Sequence, residues 1–374
     1  MVLEIKDPIS GKTILLDQII TEASENFFFT LFNSDDIENK FYVEYVLGLH
    51  SDYKDTDYSL HLFKSHTLNS ENDIFQVYEK DTSIRIGWIF PIQSLVSNEH
   101  NYRDNIHFLK YAYVAFLKLL TNAEKRKIYI PNFNPNGVCK LTDFYGDDLI
   151  ILTLCDAKWR SINNFNIESY AISLYQYGYY SCEPTDTIRQ ISGRSAFLSL
   201  DGLRINLQRI SPDLEGEVYL GRLFKSLLKT EENPLVRFYI LYQVIELIIE
   251  RILEKEFHNL ISTFNANPNK NFFELKEDIS KLSSEKNRIS RLVHNMSQHM
   301  NANCRTNLQL FCDDLLSSFN TPRKDDLALS LYTARSFIVH KFRNLPEADA
   351  PKIESINREF EAILIDILLN YEEE

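Results

Sequence analysis

Two residues near the C-terminal end of the sequence have side chains suited to acid–base and anion-binding chemistry. Arg335 and His340 are separated by four residues in the segment LYTARSFIVH. Histidine is the side chain that most readily both accepts and donates a proton near neutral pH. The guanidinium group of an arginine holds a charged oxygen with two hydrogen bonds. The two residue types suit proton transfer beside a bound anion, provided that the two side chains meet, but their spacing alone does not assign them these roles.

The segment that carries this pair predicts a helix over residues 323–344. Thr321 and Pro322 form a start signal, because a hydroxyl can cap the first turn and proline fits the first helical position. Apolar residues then recur at helical spacing in one stripe, and a proline ends the pattern: Leu327, Leu331, Ala334, Ile338 and Pro346.

Helical geometry separates the two functional side chains. At ~100° per residue, Arg335 and His340 lie about 140° apart around the axis. His340 instead shares a stripe with Ser336 and Arg343. For the pair to act together, Arg335 must curl around the helix or the helix must be distorted there.

The R-x4-H pattern within a run of predicted helices resembles the motif of the HEPN superfamily. These are all-helical domains in which R-x4–6-H often marks a metal-independent ribonuclease. The segment Asn233–Glu250, NPLVRFYILYQVIELIIE, is similar to the first long helix of the Apea-like HEPN branch of bacterial phage-defence proteins. The resemblance covers roughly residues 215–374 and none of the N-terminal half.

The resemblance implies a role for each residue of the motif. His340 would transfer protons while the 2′-hydroxyl of RNA attacks the adjacent phosphate, and Arg335 would hold the charge that the phosphate gains. The resemblance also implies a homodimer in which two motifs face each other across one cleft. Ser336 follows the arginine, whereas family members often have Asn, Asp or His there.

Glu246 lies on a polar stripe of an otherwise apolar predicted helix, with Tyr239, Gln243 and Glu250. One interpretation is that this stripe lines the cleft and that Glu246 orients Arg335 or His340. The other interpretation is a solvent-facing edge of the helix. The pattern alone does not decide between them.

A second match to the motif lies upstream. Arg288 and His294 form an R-x5-H pair on another predicted helix. A polar tail follows His294, which predicts a helix end, where a histidine interacts favourably with the helix dipole. We therefore rank this pair below Arg335 and His340.

Composition restricts the class of protein. The 374 residues suit two domains, and the net charge of −13 argues against a broad nucleic-acid-binding surface. The five cysteines are widely spaced and none forms C-x2-C, so neither a zinc site nor any other metal or cofactor is expected. The N-terminal segment lacks the features of a signal peptide, and no apolar run is long enough to span a membrane. We expect a cytoplasmic protein with free thiols.

Residues 1–212 are predicted to form an α+β domain. Short runs of aromatic and β-branched residues predict strands, at Phe41–Leu47, Tyr58–Phe63, Ile74–Tyr78, Ile84–Phe90, Lys127–Ile130, Leu149–Leu154, Tyr170–Tyr175 and Leu203–Leu207. A helix is predicted at about 104–122, a short helix across Leu16–Phe32, and a turn at Asn132–Gly137.

Residues 213–374 are predicted to form an all-α bundle of five or six helices. Spacing of apolar residues places the helices at Asp213–Lys229, Pro234 to about 263, and about 272–296, 304–319, 323–344 and 349–372.

Two functions from different classes follow. The leading hypothesis is a bacterial-type antiphage, abortive-infection effector whose C-terminal HEPN-like domain cleaves RNA as a homodimer. Its N-terminal domain would sense a phage-derived or nucleotide trigger. The alternative is a HEPN-type module without catalysis that binds a partner protein or a nucleotide.

Overall fold

The computed structural model describes residues 3–7, 9–22, 28–48, 55–65, 70–121, 127–129, 137–163, 165–182, 197–198, 202–266, 271–341 and 349–372. The chain divides into two compact units, Met1–Gln208 and Arg209–Glu374. The first unit is rich in strands and the second is helical. No helix in the described part of the chain is both long and apolar enough to cross a membrane.

Every strand in the described part of the chain belongs to the N-terminal unit. They are β1 (Leu3–Lys6), β2 (Thr13–Leu16), β3 (Gln18–Glu22), β4 (Phe28–Asn33), β5 (Asp36–Glu44), β6 (Tyr58–Ser65), β7 (Phe75–Glu79), β8 (Arg85–Pro91), β9 (Lys127–Tyr129), β10 (Val138–Cys139), β11 (Leu149–Cys155), β12 (Tyr179–Ser181) and β13 (Arg204–Leu207). Its helices are α1 (Ile106–Thr121), α2 (Leu141–Tyr145), α3 (Asp156–Trp159) and α4 (Ala171–Gln176).

Among the described residues these strands form three sheets. Their orders are β2-β1-β9, β10-β5-β4-β3 and β12-β6-β11-β8-β7-β13. The six-stranded sheet is antiparallel except where β13 runs parallel to β7. Gly87 is required within it, since a Cβ there would lie 2.2 Å from the carbonyl oxygen of Thr153 on the neighbouring strand.

Both faces of the six-stranded sheet are buried. Successive residues of a strand point to opposite faces, and β11 supplies apolar side chains to each of them. Ile151 joins Trp88, Phe90 and the α1 residue Phe108 in one core cluster. Ile150, Leu152 and Leu154 join Tyr170 and Leu174 in the other. The continuous apolar run of β11 is thus explained by burial on both sides.

Two element predictions in this unit are wrong. The predicted short helix across Leu16–Phe32 is replaced by β3 and β4, which pair antiparallel in the register Gln18↔Phe32. Its β-branched and phenylalanine residues suit a pleated surface better than a helix. The predicted strand Tyr170–Tyr175 is largely the helix α4, because a short apolar run does not by itself distinguish a strand from a buried helix. Most of the predicted turn at Asn132–Gly137 lies outside the described residues.

The C-terminal unit contains the remaining helices. They are α5 (Val218–Arg222), α6 (Leu228–Thr230), α7 (Pro234–Ala266), α8 (Phe272–Ser283), α9 (Glu285–Asn295), α10 (Ala302–Ser317), α11 (Leu327–Lys341) and α12 (Ala350–Asn370). A π-turn at Leu223–Leu227 joins α5 to α6. The described residues after Leu207 contain no strand, so the predicted change from strands to helices is confirmed.

Three predicted helices of this unit differ from the structure. The segment from Asp213 is interrupted by Gly216, whose φ of 98° lies in the left-handed region. The segment 272–296 is two helices, because Ser284 is extended (φ −70°, ψ 112°). Helix α11 begins at Leu327 rather than near Thr321, and the carboxylate of Asp326 accepts a hydrogen bond from the backbone N–H of Leu329 at 2.8 Å.

A buried ion pair fixes α7 to α12. The guanidinium of Arg237 donates through Nε (3.0 Å) and Nη2 (2.7 Å) to Oε2 of Glu361. Its Nη1 donates to the carbonyl oxygens of Leu228 (2.7 Å) and Glu231 (3.2 Å). The side chains are only 2% and 0% exposed. A buried pair is tolerated when its donors are matched in this way, and it becomes costly when one partner is removed.

We predict that Arg237→Met lowers the free energy of unfolding by about 3–5 kcal/mol, because it leaves the carboxylate of Glu361 buried without its countercharge. Urea unfolding followed by far-ultraviolet circular dichroism measures this. Arg237→Met/Glu361→Leu should recover most of the loss, since an apolar pair leaves no buried charge.

The matched control for this prediction is the exposed pair of Lys281 and Glu277, whose side chains are 63% and 68% exposed. Lys281→Met should change the free energy of unfolding far less than Arg237→Met does, because a solvent-exposed ion pair contributes little. Equal losses for Arg237→Met and Lys281→Met would contradict the role given to the buried pair.

Candidate functional site

Arg335 lies in the C-terminal half of α11 and its side chain reaches α7. Nη2 donates a hydrogen bond of 2.9 Å to Oε1 of Glu246. The two side chains are 22% and 30% exposed, so the ion pair lies at the edge of the helical unit. The other oxygen of Glu246 accepts a hydrogen bond from Nε2 of Gln243 at 2.6 Å. Both oxygens of this carboxylate are therefore engaged, which restricts its orientation.

Tyr242 supports the same guanidinium group. The Cζ atom of Arg335 lies 5.2 Å from the centroid of the Tyr242 ring, within the range of a cation–π interaction. The Tyr242 hydroxyl donates a hydrogen bond of 2.9 Å to Oε1 of Glu285 on α9. Burial and the neighbouring Glu285 raise the pKa of Tyr242 above its usual value, so the hydroxyl keeps the proton that it donates.

Tyr242 and Glu285 are members of this site that sequence reasoning did not identify. A weak signal was present, since Tyr242 precedes Glu246 by one helical turn on the same face of α7. Glu285 has no such signal, because only tertiary packing brings α9 to this part of α7. We use the name Arg335 cluster for Arg335, Glu246, Gln243, Tyr242 and Glu285.

The charge of Arg335 is secured by these neighbours. Burial alone would lower the pKa of the guanidinium, but the hydrogen bond to Glu246 and the charge of Glu285 outweigh it and raise the pKa. Arg335 is therefore a permanently charged donor held in a defined orientation. A phosphate oxygen offers the same kind of acceptor as the carboxylate oxygen that the arginine now holds.

His340 does not join the Arg335 cluster within one chain. Its side chain is exposed and makes no hydrogen bond or ion pair within the described part of the chain. Ser336, one turn earlier on the same stripe, is half-buried. Along α11, Arg335 shares its face with Tyr332 and with Val339, which is 37% exposed. The structure thus places the arginine and the histidine of the motif on different faces of a regular helix.

The arginine of the second motif contacts α7, the same helix that Arg335 contacts. Nη1 of Arg288 donates to the backbone oxygen of Ile249 at 3.3 Å, whereas His294 is exposed in the last turn of α9. Ile249 lies seven residues after Tyr242, on nearly the same face of α7. The arginines of both motifs therefore contact one face of α7, although only Arg335 faces a carboxylate there.

No group of three or more potential metal ligands occurs among the residues that the structure describes. All five cysteines lie among the described residues, and no disulfide bond joins them. Burial raises the pKa of the thiols of Cys139 and Cys304 to about 11 in each case. These two thiols are therefore protonated and unreactive at neutral pH.

We predict that Arg335 and Glu246 are energetically coupled. A double-mutant cycle with Arg335→Ala and Glu246→Ala, followed by urea unfolding, should give a coupling of about 1 kcal/mol, the upper range for a partly exposed pair. Glu250→Ala serves as the control, because Glu250 is an exposed carboxylate one turn further along α7. Equal coupling of Arg335 to Glu250 and to Glu246 would contradict a specific contact.

No family model matches the chain, and neither the curated proteins nor the solved structures contain a match.

Proposed function

We propose that the helical unit is a metal-independent endoribonuclease of the HEPN type and that the protein acts as an antiphage, abortive-infection effector. The observation that supports this most is the orientation of Arg335 by Glu246 and Tyr242, on the helix that also presents an exposed His340. An arginine that is charged, partly exposed and held from two sides suits an anion clamp.

The proposed reaction is attack of the RNA 2′-hydroxyl on the adjacent phosphate. The 2′-oxygen bonds to phosphorus and the bond from phosphorus to the 5′-oxygen breaks. His340 takes the 2′-hydroxyl proton and, as imidazolium, donates a proton to the departing 5′-oxygen. Arg335 binds the phosphate oxygens and stabilises the negative charge that grows on them. Glu246 and Tyr242 keep the guanidinium in place, and Ser336 lies on the His340 stripe, where its hydroxyl can donate a hydrogen bond to the substrate.

A homodimer would bring Arg335 and His340 to the same substrate, which one regular helix does not do. Since Arg335 and His340 lie on different faces of α11, the proposed site combines Arg335 of one copy with His340 of its partner across a two-fold axis. The exposure of His340 leaves it available to such a partner. The N-terminal unit is then the sensor that responds to a phage-derived or nucleotide trigger.

One observation favours a second candidate function. Arg335 already has a carboxylate partner, and no contact among the described residues joins it to His340. An arginine in this position also serves to hold α11 against α7 in a module that binds a partner protein or a nucleotide without catalysis. Activity measurements separate the two functions.

We predict that His340→Ala and Arg335→Ala each abolish toxicity and RNA cleavage while the protein stays folded. The expected losses are about 10²–10⁴-fold for the proton-transfer group and about 10²–10³-fold for the anion clamp. Arg335→Lys should fail too, because an ammonium group does not replace a two-pronged donor. Growth of expressing cells and sequencing of RNA ends measure these effects.

His294→Ala is the internal control for the choice of motif. Its activity should equal that of the wild type, and loss of activity in His294→Ala with retention in His340→Ala would move the site to the Arg288 pair. Cleavage should persist in a chelator, produce 2′,3′-cyclic phosphate ends and spare DNA, which lacks the 2′-hydroxyl. Full activity of both His340→Ala and Arg335→Ala, or arrest by chelation, would contradict the proposed chemistry, and absence of RNA cleavage by the wild type would favour the non-catalytic module.

A further prediction concerns the oligomeric state of the protein. Light scattering at micromolar concentration should give twice the mass of the 43.9 kDa chain. An aspartate in place of the exposed, apolar Val339, which shares a face with Arg335, should shift this equilibrium toward the monomer and lower cleavage. A wild-type protein that stays monomeric with and without RNA would contradict the shared site.

A further inference from the structure

A cavity of about 320 Å³ opens in the helical unit, and no member of the Arg335 cluster lines it. Its walls come from the middle of α7, the second half of α9, the turn that follows α9, and the end of α12. Small-molecule sites usually measure roughly 300–1,000 Å³, so this cavity suits one small ligand.

The inner side of the cavity is apolar. Leu292, Met296 and Tyr371 line it and are 1%, 5% and 4% exposed. Ile252 of α7 adds a further apolar side chain. Because these three side chains are almost fully covered by the protein, they form a fixed floor that offers a ligand a small apolar area to pack against.

The outer side of the cavity is rich in amide side chains. Asn259 and Gln298 are exposed at its edge, and Asn295 and Asn370 also line it. Nε2 of Gln298 lies 3.2 Å from Nε2 of His299, a further lining residue, so a ligand must share or replace that contact. A carboxamide carries both a donor and an acceptor, so it pairs with a ligand edge on which donors and acceptors alternate. Nucleobases have edges of this kind, and proteins read unpaired bases by hydrogen bonds to them combined with packing on their faces.

The charges around the cavity do not select a strongly anionic ligand. Lys255 and Arg291 are offset by Glu256 and Glu372, and Arg291 forms an ion pair with Glu256. Helices α9 and α12 both end at the cavity, where their carbonyl groups carry partial negative charge. A phosphate group is therefore less suited to the cavity than a neutral group with hydrogen-bonding edges.

We propose that this cavity binds one nucleobase with its sugar. The base lies against the apolar side formed by Leu292, Met296 and Tyr371, and Asn259 and Gln298 hydrogen-bond to its edge. The inference does not depend on catalysis at Arg335, because it concerns different residues and a binding equilibrium. The base comes either from a free nucleoside or from an unpaired position of a single-stranded RNA.

Isothermal titration calorimetry on the full chain tests this. One arm uses the four free ribonucleosides, and the other uses single-stranded 2′-O-methyl oligoribonucleotides, which lack the 2′-hydroxyl needed for cleavage. At least one ribonucleoside should bind with a dissociation constant on the order of 0.1 mM, as expected for a small ligand with a few hydrogen bonds. Binding only in the oligonucleotide arm identifies the ligand as a base within RNA.

Two substitutions of one exposed residue probe the cavity without disturbing the core. Asn259→Trp should fill its mouth and abolish binding. Asn259→Ala should weaken binding by about five- to tenfold, the effect of one lost hydrogen bond. Asn303, an exposed asparagine in the first turn of α10 that does not line the cavity, provides the controls Asn303→Trp and Asn303→Ala. Both controls should bind as the wild type does.

Three results would overturn the proposal. They are absence of binding in both arms, equal binding by Asn259→Trp and the wild type, and tighter binding of inorganic phosphate or a free amino acid than of any nucleoside. Because cleavage is not measured, loss of activity in His340→Ala and failure of this proposal are separate outcomes.

Discussion

The buried pair of Arg237 and Glu361 is the interaction on which the helical unit depends. It joins α7 to α12, and the same guanidinium satisfies the carbonyls of Leu228 and Glu231 at the end of α6. An unpaired charge at this depth would cost several kcal/mol, so the two helices and the end of α6 are held in one relative position. Helix α7 thereby becomes a fixed support for everything that packs on it.

Both proposed sites use α7 at different levels. In the first half of α7, Tyr242, Gln243 and Glu246 support Arg335. Further along α7, Ile252, Lys255 and Asn259 line the cavity. Helix α9 contacts α7 at both levels. Glu285 accepts a hydrogen bond from Tyr242, and Arg291 forms an ion pair with Glu256. A functional group on a buried helix keeps its position better than one on a loop, which is what both anion binding and base recognition require.

The sequence predicted the main division of the molecule. Alternating aromatic and β-branched runs before Leu207 and helical spacing afterwards gave the change from strands to helices. Prediction from the sequence failed where the local pattern fits both a strand and a helix, as in the apolar run Tyr170–Tyr175. It also failed where the backbone conformation of one residue ends a helix, as at Ser284. Such positions are settled by tertiary packing, which a single-sequence pattern does not contain.

The site shows the same limit. Spacing identified Arg335 and His340 and showed that a regular helix separates them, and the polar stripe identified Glu246. Spacing could not reveal that Arg335 faces α7, since this depends on how α11 packs. Tyr242 and Glu285 were missed because a tyrosine in an apolar helix and a glutamate in a first turn are ordinary there.

The most direct test of the central claim combines two inactive variants. Arg335→Ala and His340→Ala are expressed together, and RNA with 2′,3′-cyclic phosphate ends is counted by sequencing. If Arg335 of one copy works with His340 of its partner, mixed dimers contain one intact site, and cleavage returns to a fraction of the wild-type level. Absence of cleavage in the mixture, with both variants folded and dimeric, would contradict a site shared between two copies.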